Sequence, residues 1–155
     1  MQMASKGSSS LHSITPVEID INGSKAFSVS VGNINARFIR QEIEYELISN
    51  CRFLSRLQRI DGPEGEVWKM LTMEVIYIHD SIVPVVPYTG PISFDVKDMD
   101  GSTRKSYRFL SWLLAERGHT VNNDLPGIDH EQSVRDVIDR SQEWLHAETT
   151  ENTAV

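Results

Sequence analysis

The chain has 155 residues, 39% of them hydrophobic and 24% charged, with a formal net charge of −7 and a pI near 5.2. That length suits a single domain with its own core, and the acidic balance argues against nucleic acid or an anionic membrane as a partner, since either calls for a basic face. No apolar stretch is long enough for a membrane helix. The opening "MQMASKGSSS" lacks the apolar segment of a secretory signal, and the single cysteine, Cys51, leaves no internal disulfide and no cysteine-based metal site. The expectation is a soluble cytoplasmic protein with no metal and no organic cofactor.

Residues 1–13, small and polar, are expected to be a disordered tail. A single domain is expected over 14–147, with a second tail at 148–155. In "PVEIDINGSKAFSVSV", Val17, Ile19 and Ile21 alternate with Glu18 and Asp20, the period-2 pattern of a half-buried strand. Asn22-Gly23 is expected to supply two positive-φ positions of a tight hairpin turn. Phe27, Val29 and Val31 alternate with serines on the return strand, which continues through "NINARFIR". "QEIEYELI" alternates as well, although helix competes there because glutamate is a good helix former. Ser49 and Asn50 interrupt the pattern before a long strand that runs to Ile60.

"DGPEG" is turn chemistry, and "EVWKMLTMEVIYIHD" follows as a strand rich in β-branched and aromatic residues. A register in which Arg56 faces Met70 and Arg52 faces Glu74 sorts this last hairpin into two faces. One, with Cys51, Phe53, Leu57, Val75 and Tyr77, is a core face. The other carries Arg52, Leu54, Arg56, Trp68, Met70, Glu74 and Ile76, too apolar for water and too charged for plain core. Pro84, Pro87 and Pro91 end the sheet, and "KDMDGST" reads as a loop. The spacing predicts a helix over 103–117, capped by Ser102 or Thr103 and stopped by Gly118. A second is predicted from "DHEQ", with Asp129 as cap and Gln132 completing a capping box.

The strand entry "HSITPVEIDINGSKAFS", the pair "CRFLSRLQRIDGPEGEVWKMLTMEVIYIHDSIVPVVP" and the tail "SYRFLSWLLAERGHTVNNDLPGIDHEQSV" together resemble the SnoaL-like branch of the nuclear transport factor 2-like superfamily. Within it they are most similar to small fungal members found beside natural-product genes, and the likeness covers about residues 12–146. The resemblance implies an α+β fold, a curved, cone-like antiparallel sheet with two C-terminal helices, often dimerising through the sheet. It implies a cofactor-independent isomerase, cyclase or dehydratase that acts on a small hydrophobic, oxygenated polyketide- or terpenoid-type intermediate. Other members only bind ligands or partners, so a non-catalytic dimeric binding module is the alternative. Family members normally begin with helices that cover the concave face of the sheet. Here a serine-rich stretch precedes the first hairpin, so the expectation is that the C-terminal helices or a partner chain take over that cover, or that the chain is a shortened form with an open pocket.

Glu74 is the candidate general acid or base, since apolar surroundings raise a carboxyl pKa. Arg52 and Arg56 are candidates to hold a substrate oxyanion through charge-assisted bonds, with Trp68 and Met70 on the same expected face as substrate contacts. The competing reading is a cross-strand Arg52–Glu74 ion pair. His12, where the resemblance implies a pocket-edge histidine, is a candidate proton shuttle or a tail residue. Tyr45 could donate to an oxyanion and Arg37 could contact substrate, although both residue types also serve packing and rims. His79 and Asp80 point to opposite faces as strand neighbours and form no dyad. His119, Asp124, Asp129 and His130 match no metal-ligand spacing and read as loop residues.

Overall fold

The computed structural model describes residues 9–87, 90 and 104–147. Four strands, β1 (Ser9–Asn22), β2 (Lys25–Arg40), β3 (Ile43–Gly62) and β4 (Gly65–Pro84), form one antiparallel sheet in the order β1-β2-β3-β4. A 3-10 turn (Lys105–Tyr107) leads into α1 (Arg108–Glu116), and α2 (Glu131–His146) follows. The class is therefore α+β, an open curved sheet with two helices. The expected tail at 148–155 and the loop "KDMDGST" lie outside the described residues.

Several expectations shift in detail. β1 begins at Ser9 and so takes in the end of the expected tail; His12 is a strand residue opposite Ile34. The first turn is Gly23-Ser24, closed by the Asn22–Lys25 pair, and of these residues only Gly23 has positive φ, at 59°. "QEIEYELI" contains a turn that the alternation conceals: Gln41 and Glu42 adopt φ of 49° and 63°, and β3 then runs unbroken through Ser49 and Asn50.

Because paired residues share a face, the register sorts every side chain. β2 and β3 pair without a shift from Lys25–Gln58 to Arg40–Ile43. Phe38, Ala36, Tyr45 and Leu47 thus share one face, where they pack with Leu110, Trp112 and Leu113 of α1. Phe27 and Leu54 lie on the other, with Ile76, and pack against Val137 and Leu145 of α2. The helices therefore occupy opposite faces and opposite ends of the sheet. The chain changes sides around the outer edge of β4, where the Tyr77 N–H donates to the Pro126 carbonyl (2.9 Å) and the Ile128 N–H to the Tyr77 carbonyl (3.0 Å).

The β3–β4 register differs from expectation. Arg52 faces Ile76, Leu54 faces Glu74 and Arg56 faces Thr72; shifts between Asn50 and Cys51 and between Arg56 and Leu57 leave Ile78 and Leu71 as the extra residues of β4. A bulge inverts the alternation beyond it, so Met70, paired with Leu57, and Trp68, paired with Arg59, lie on the α1 face, away from Arg56 and Glu74.

The helix ends also differ. α1 starts at Arg108, later than expected, while Gly118 ends it with φ of 82° and its N–H on the Ala115 carbonyl. α2 starts after His130 rather than after Asp129, and Gln132 donates to Asp136 (2.7 Å) rather than back to the cap.

The left-handed Glu42 lacks the glycine that a two-residue hairpin turn prefers in its second position. Glu42→Gly is expected to raise stability by about 1 kcal/mol, read as a higher urea midpoint with an unchanged denaturant slope.

Candidate functional site

The α2 end of the sheet gathers the charged candidates. Glu74 is held from both sides: Arg56 Nη2 donates to Oε2 (3.1 Å) and Arg140 Nη2, from α2, to Oε1 (2.9 Å). Arg56 also donates through Nε to Thr72 Oγ1 (3.0 Å), and its guanidinium lies 6.0 Å from the centre of the Trp144 ring. The last turn of α2 is fastened from the first hairpin. Lys25 Nζ donates to the Trp144 and Ala147 carbonyls (3.1 and 2.8 Å) and Asn22 Nδ2 to the Leu145 carbonyl (2.9 Å), which satisfies carbonyls that a helix end leaves open. Glu74 and Arg56 are thus brought together, but as a clamp between sheet and helix. Arg52 is exposed, opposite Ile76, and does not pair with Glu74.

The other candidates disperse. His12 is exposed on the α1 face, on the opposite side of the sheet from Glu74. Tyr45 is 3% exposed and stacks on Phe38 at 5.7 Å in the core under α1. Arg37 sits 3.8 Å from Glu46, both partly exposed on the α2 face. Trp68 and Met70 lie on the α1 face, exposed, with Arg59 stacked on the Trp68 ring at 5.8 Å. No single pocket collects these eight residues.

Two carboxylates carry structural tasks that their sequence positions did not announce. Asp80 is buried on β4 beside Ser49 and accepts the Leu110 N–H at 2.7 Å, capping α1 from a distant strand where the helix has no side-chain cap of its own. Burial pushes its carboxyl up to about 6, against the opposing pull of the Leu110 and Phe109 amides, and Oδ1 has no hydrogen-bond partner among the described residues. Burial likewise raises the neighbouring Cys51 thiol and the Tyr77 hydroxyl.

Asp129 binds Arg104 through both oxygens (2.8 and 3.1 Å), the Ser106 hydroxyl (2.7 Å) and the Lys105 N–H (2.7 Å). The Arg104 guanidinium holds its carboxyl well below the usual carboxylate range. Arg104 also donates to the Asn123 and Leu125 carbonyls (2.8 and 3.0 Å), which rivets the interhelical loop to the start of α1. Gly127 is required there, because a Cβ would come within 2.1 Å of Ser106 Oγ. Among the described residues, no three His, Cys, Asp or Glu side chains converge as a metal ion would need.

Among the described residues, each face of the sheet has a helix over one end and none over the other, here called its open end. The open end of the α2 face is mixed: Asn33, Asn50 and His79 lie in one row, with Asn50 Nδ2 and His79 Nε2 at 3.1 Å, and Arg37 with Glu46 lies further along beside the exposed Leu11, Ile39 and Val83. The open end of the α1 face is built differently. Its rows across the sheet run Ile14–Gly32–Cys51–Tyr77, Pro16–Ser30–Phe53–Val75, Ile19–Ser28–Ser55–Met73 and Ile21–Ala26–Leu57–Met70. Large apolar side chains stand along the two edges, and β2 contributes only small ones to the floor. Ile19, Ile21, Met70 and Met73 are 60%, 65%, 55% and 49% exposed, whereas Ser30, Phe53 and Ser55 are buried. This trough was missed in the sequence because its ridges lie on strands distant in the chain; the run Ala26-Ser28-Ser30-Gly32 on one face of β2 was its only local signal.

No protein-family model matches the chain, and no curated protein matches it in sequence. Among the described residues no helix is long and apolar enough to cross a membrane.

Two measurements check these assignments. Glu74→Gln is expected to cost about 1 kcal/mol, most of it lost in high salt, because the clamp is partly exposed; urea unfolding at two ionic strengths reads this. For Asp80, the folded state keeps the proton to about pH 6 while the unfolded chain releases it near 4. Its ionisation therefore leaves stability intact below about pH 4 and removes about 2–3 kcal/mol as pH rises through 6. Asp80→Asn should match the wild type near pH 4 and exceed it near pH 7, with thermal unfolding against pH as the readout.

Proposed function

We propose that the chain is a SnoaL-like binding module for a small hydrophobic, oxygenated molecule, and that the molecule lies in the trough on the open end of the α1 face. The observation that carries this reading is the contrast between the two open ends of the sheet. On the α2 face amides, a histidine and an ion pair are interspersed with the exposed Leu11, Ile39 and Val83. The other leaves large apolar side chains exposed around a floor that includes the Ser28, Ser30 and Ser55 hydroxyls. Binding pockets combine apolar walls with a few placed polar groups, and this end of the sheet has both. The four-stranded antiparallel meander with two helices after it agrees with the sheet and tail that the resemblance implies. A dimer and a soluble, cytoplasmic setting belong to the same reading.

Isomerase, cyclase or dehydratase chemistry through Glu74 is the weaker reading, because both of its oxygens are taken by arginines and the face it occupies is covered by α2. Arg52, which was to hold the substrate beside it, stands apart. A general base needs a lone pair within hydrogen-bond reach of the substrate, and α2 stands over the face from which a substrate would reach Glu74.

The probe is 2-naphthol, a small oxygenated aromatic with its own fluorescence. Saturable binding is expected, weakened about tenfold or more by Ser28→Phe, which fills the floor, and unchanged by Glu74→Gln. Failure to saturate, or binding that Glu74→Gln abolishes and Ser28→Phe leaves intact, would contradict the proposal.

A further inference from the structure

We propose that the α2 face carries a second binding site, centred on Arg52, for the phosphate group of a small phosphate monoester. Ser13, Thr15, Asn33 and Asn50 supply its neutral donors. The site lies on the opposite face of the sheet from the trough, so it stands or falls independently of the molecule proposed there.

The first observation is an unpaired cation. Of the five arginines in the sheet, four are ion-paired: Arg37 with Glu46, Arg40 with Glu116, Arg56 with Glu74 and Arg59 with Glu66. Arg52 is the exception. It is exposed, opposite Val31 and Ile76, and its side chain makes no ion pair or hydrogen bond among the described residues. A chain of net charge −7 does not lack carboxylates to pair with it. Those nearest on this face are held or distant: Glu74, one row along, is clamped by Arg56 and Arg140, and Glu18 stands two strands away on β1.

The second is a convergence of neutral donors around that cation. Two neighbouring rows cross the sheet here, Ser13–Asn33–Asn50–His79 and Thr15–Val31–Arg52–Ile76, and neither contains a carboxylate. The side chains of Ser13, Thr15 and Asn33 make no hydrogen bond among the described residues. Asn50 Nδ2 donates to His79 Nε2 (3.1 Å), which orients the amide and leaves its second hydrogen for a ligand. Strands lie about 4.8 Å apart and same-face residues about 6.8 Å apart along a strand, so these groups fall within a patch about 10 Å across.

The third is space. A cavity of about 330 Å³ lies among them, lined by Ser13, Thr15, Val31, Asn33, Asn50 and Ile78. That is the small end of the range for ligand sites, enough for a phosphate with a few carbons, and Val31 and Ile78 give those carbons an apolar wall. The donor set favours phosphate over carboxylate. A guanidinium alone engages both oxygens of a carboxylate, whereas the extra oxygen of a phosphate calls for the hydroxyls and amides as well. A polyanion such as nucleic acid is excluded by repulsion from the acidic chain.

Isothermal titration of the full chain with glycerol 3-phosphate, at fixed ionic strength, tests this. Saturable binding is expected with a Kd of about 1 mM or tighter. Arg52→Gln should weaken it about tenfold or more, with thermal unfolding unchanged because the residue is exposed. Thr15→Val and Asn33→Leu should each weaken it severalfold. Arg59→Gln removes the same charge elsewhere in the sheet and should leave the affinity unchanged, as should Ser28→Phe in the trough. Inorganic phosphate should compete, more weakly than the ester. Failure of glycerol 3-phosphate to saturate, or equal weakening by Arg52→Gln and Arg59→Gln, overturns the proposal. Inorganic phosphate binding as tightly as glycerol 3-phosphate overturns the assignment to a monoester.

Discussion

Coverage is the constraint on which the rest of this structure depends. Strands β3 and β4 are 20 residues each, so the sheet presents two faces about 65 Å long. The helices that pack on them have 9 and 16 residues, about 14 and 24 Å of length. They cannot cover both faces, and the crossing at Tyr77, where the chain passes around the β4 edge, commits one helix to each. Among the described residues, no helix stands over the other half of each face. The two sides differ in charge: amides, a histidine and an ion pair stand among Leu11, Ile39 and Val83 on the α2 face, while uncharged rows edged by isoleucines and methionines run along the α1 face.

Both helices are short or marginal by themselves, and polar anchors from elsewhere hold them in place. α1 is too short to persist alone and is capped by Asp80 across the sheet. The loop that carries the chain to the other face is fixed by Asp129 and Arg104. α2 is fastened at its last turn by Lys25 and Asn22 and at its middle by the Glu74 clamp. The two carboxylates, Asp80 buried and Asp129 ion-paired, respond to acid in opposite senses. Asp80 is destabilising once ionised. Asp129 stabilises in its ionised form, above the ordinary carboxylate pKa, and that contribution is lost as pH falls.

Local signals in the sequence were enough to place the first hairpin, the second half of β3, β4, the Pro63-Glu64 turn, the end of the sheet at Pro84 and the stop at Gly118, but they split β3 at Ser49-Asn50 and left its first half between strand and helix. What they could not place was register. The bulges at Leu71 and Ile78 arise from twist between neighbouring strands, and one extra residue was enough to carry Trp68 and Met70 to the opposite face from the arginines they were grouped with. The turn at Gln41-Glu42 was hidden because neither residue has the usual chemistry for positive φ. Remote capping was equally invisible: nothing near Tyr107 points to Asp80, and nothing near Asp129 points to Arg104. Arg52, Arg56 and Glu74 do share a face, but α2 stands over Arg56 and Glu74 only and leaves Arg52 exposed. The exposed apolar face was on the other side.

The most direct test of the account is hydroxyl-radical footprinting of Met70 and Met73 in the native chain. Both are about half exposed on the trough's β4 ridge, and methionine oxidation follows solvent access. Relative to free methionine in the same solution, saturating 2-naphthol should slow the oxidation of both, and Ser28→Phe should remove that protection. Equal relative rates with and without 2-naphthol would contradict the account.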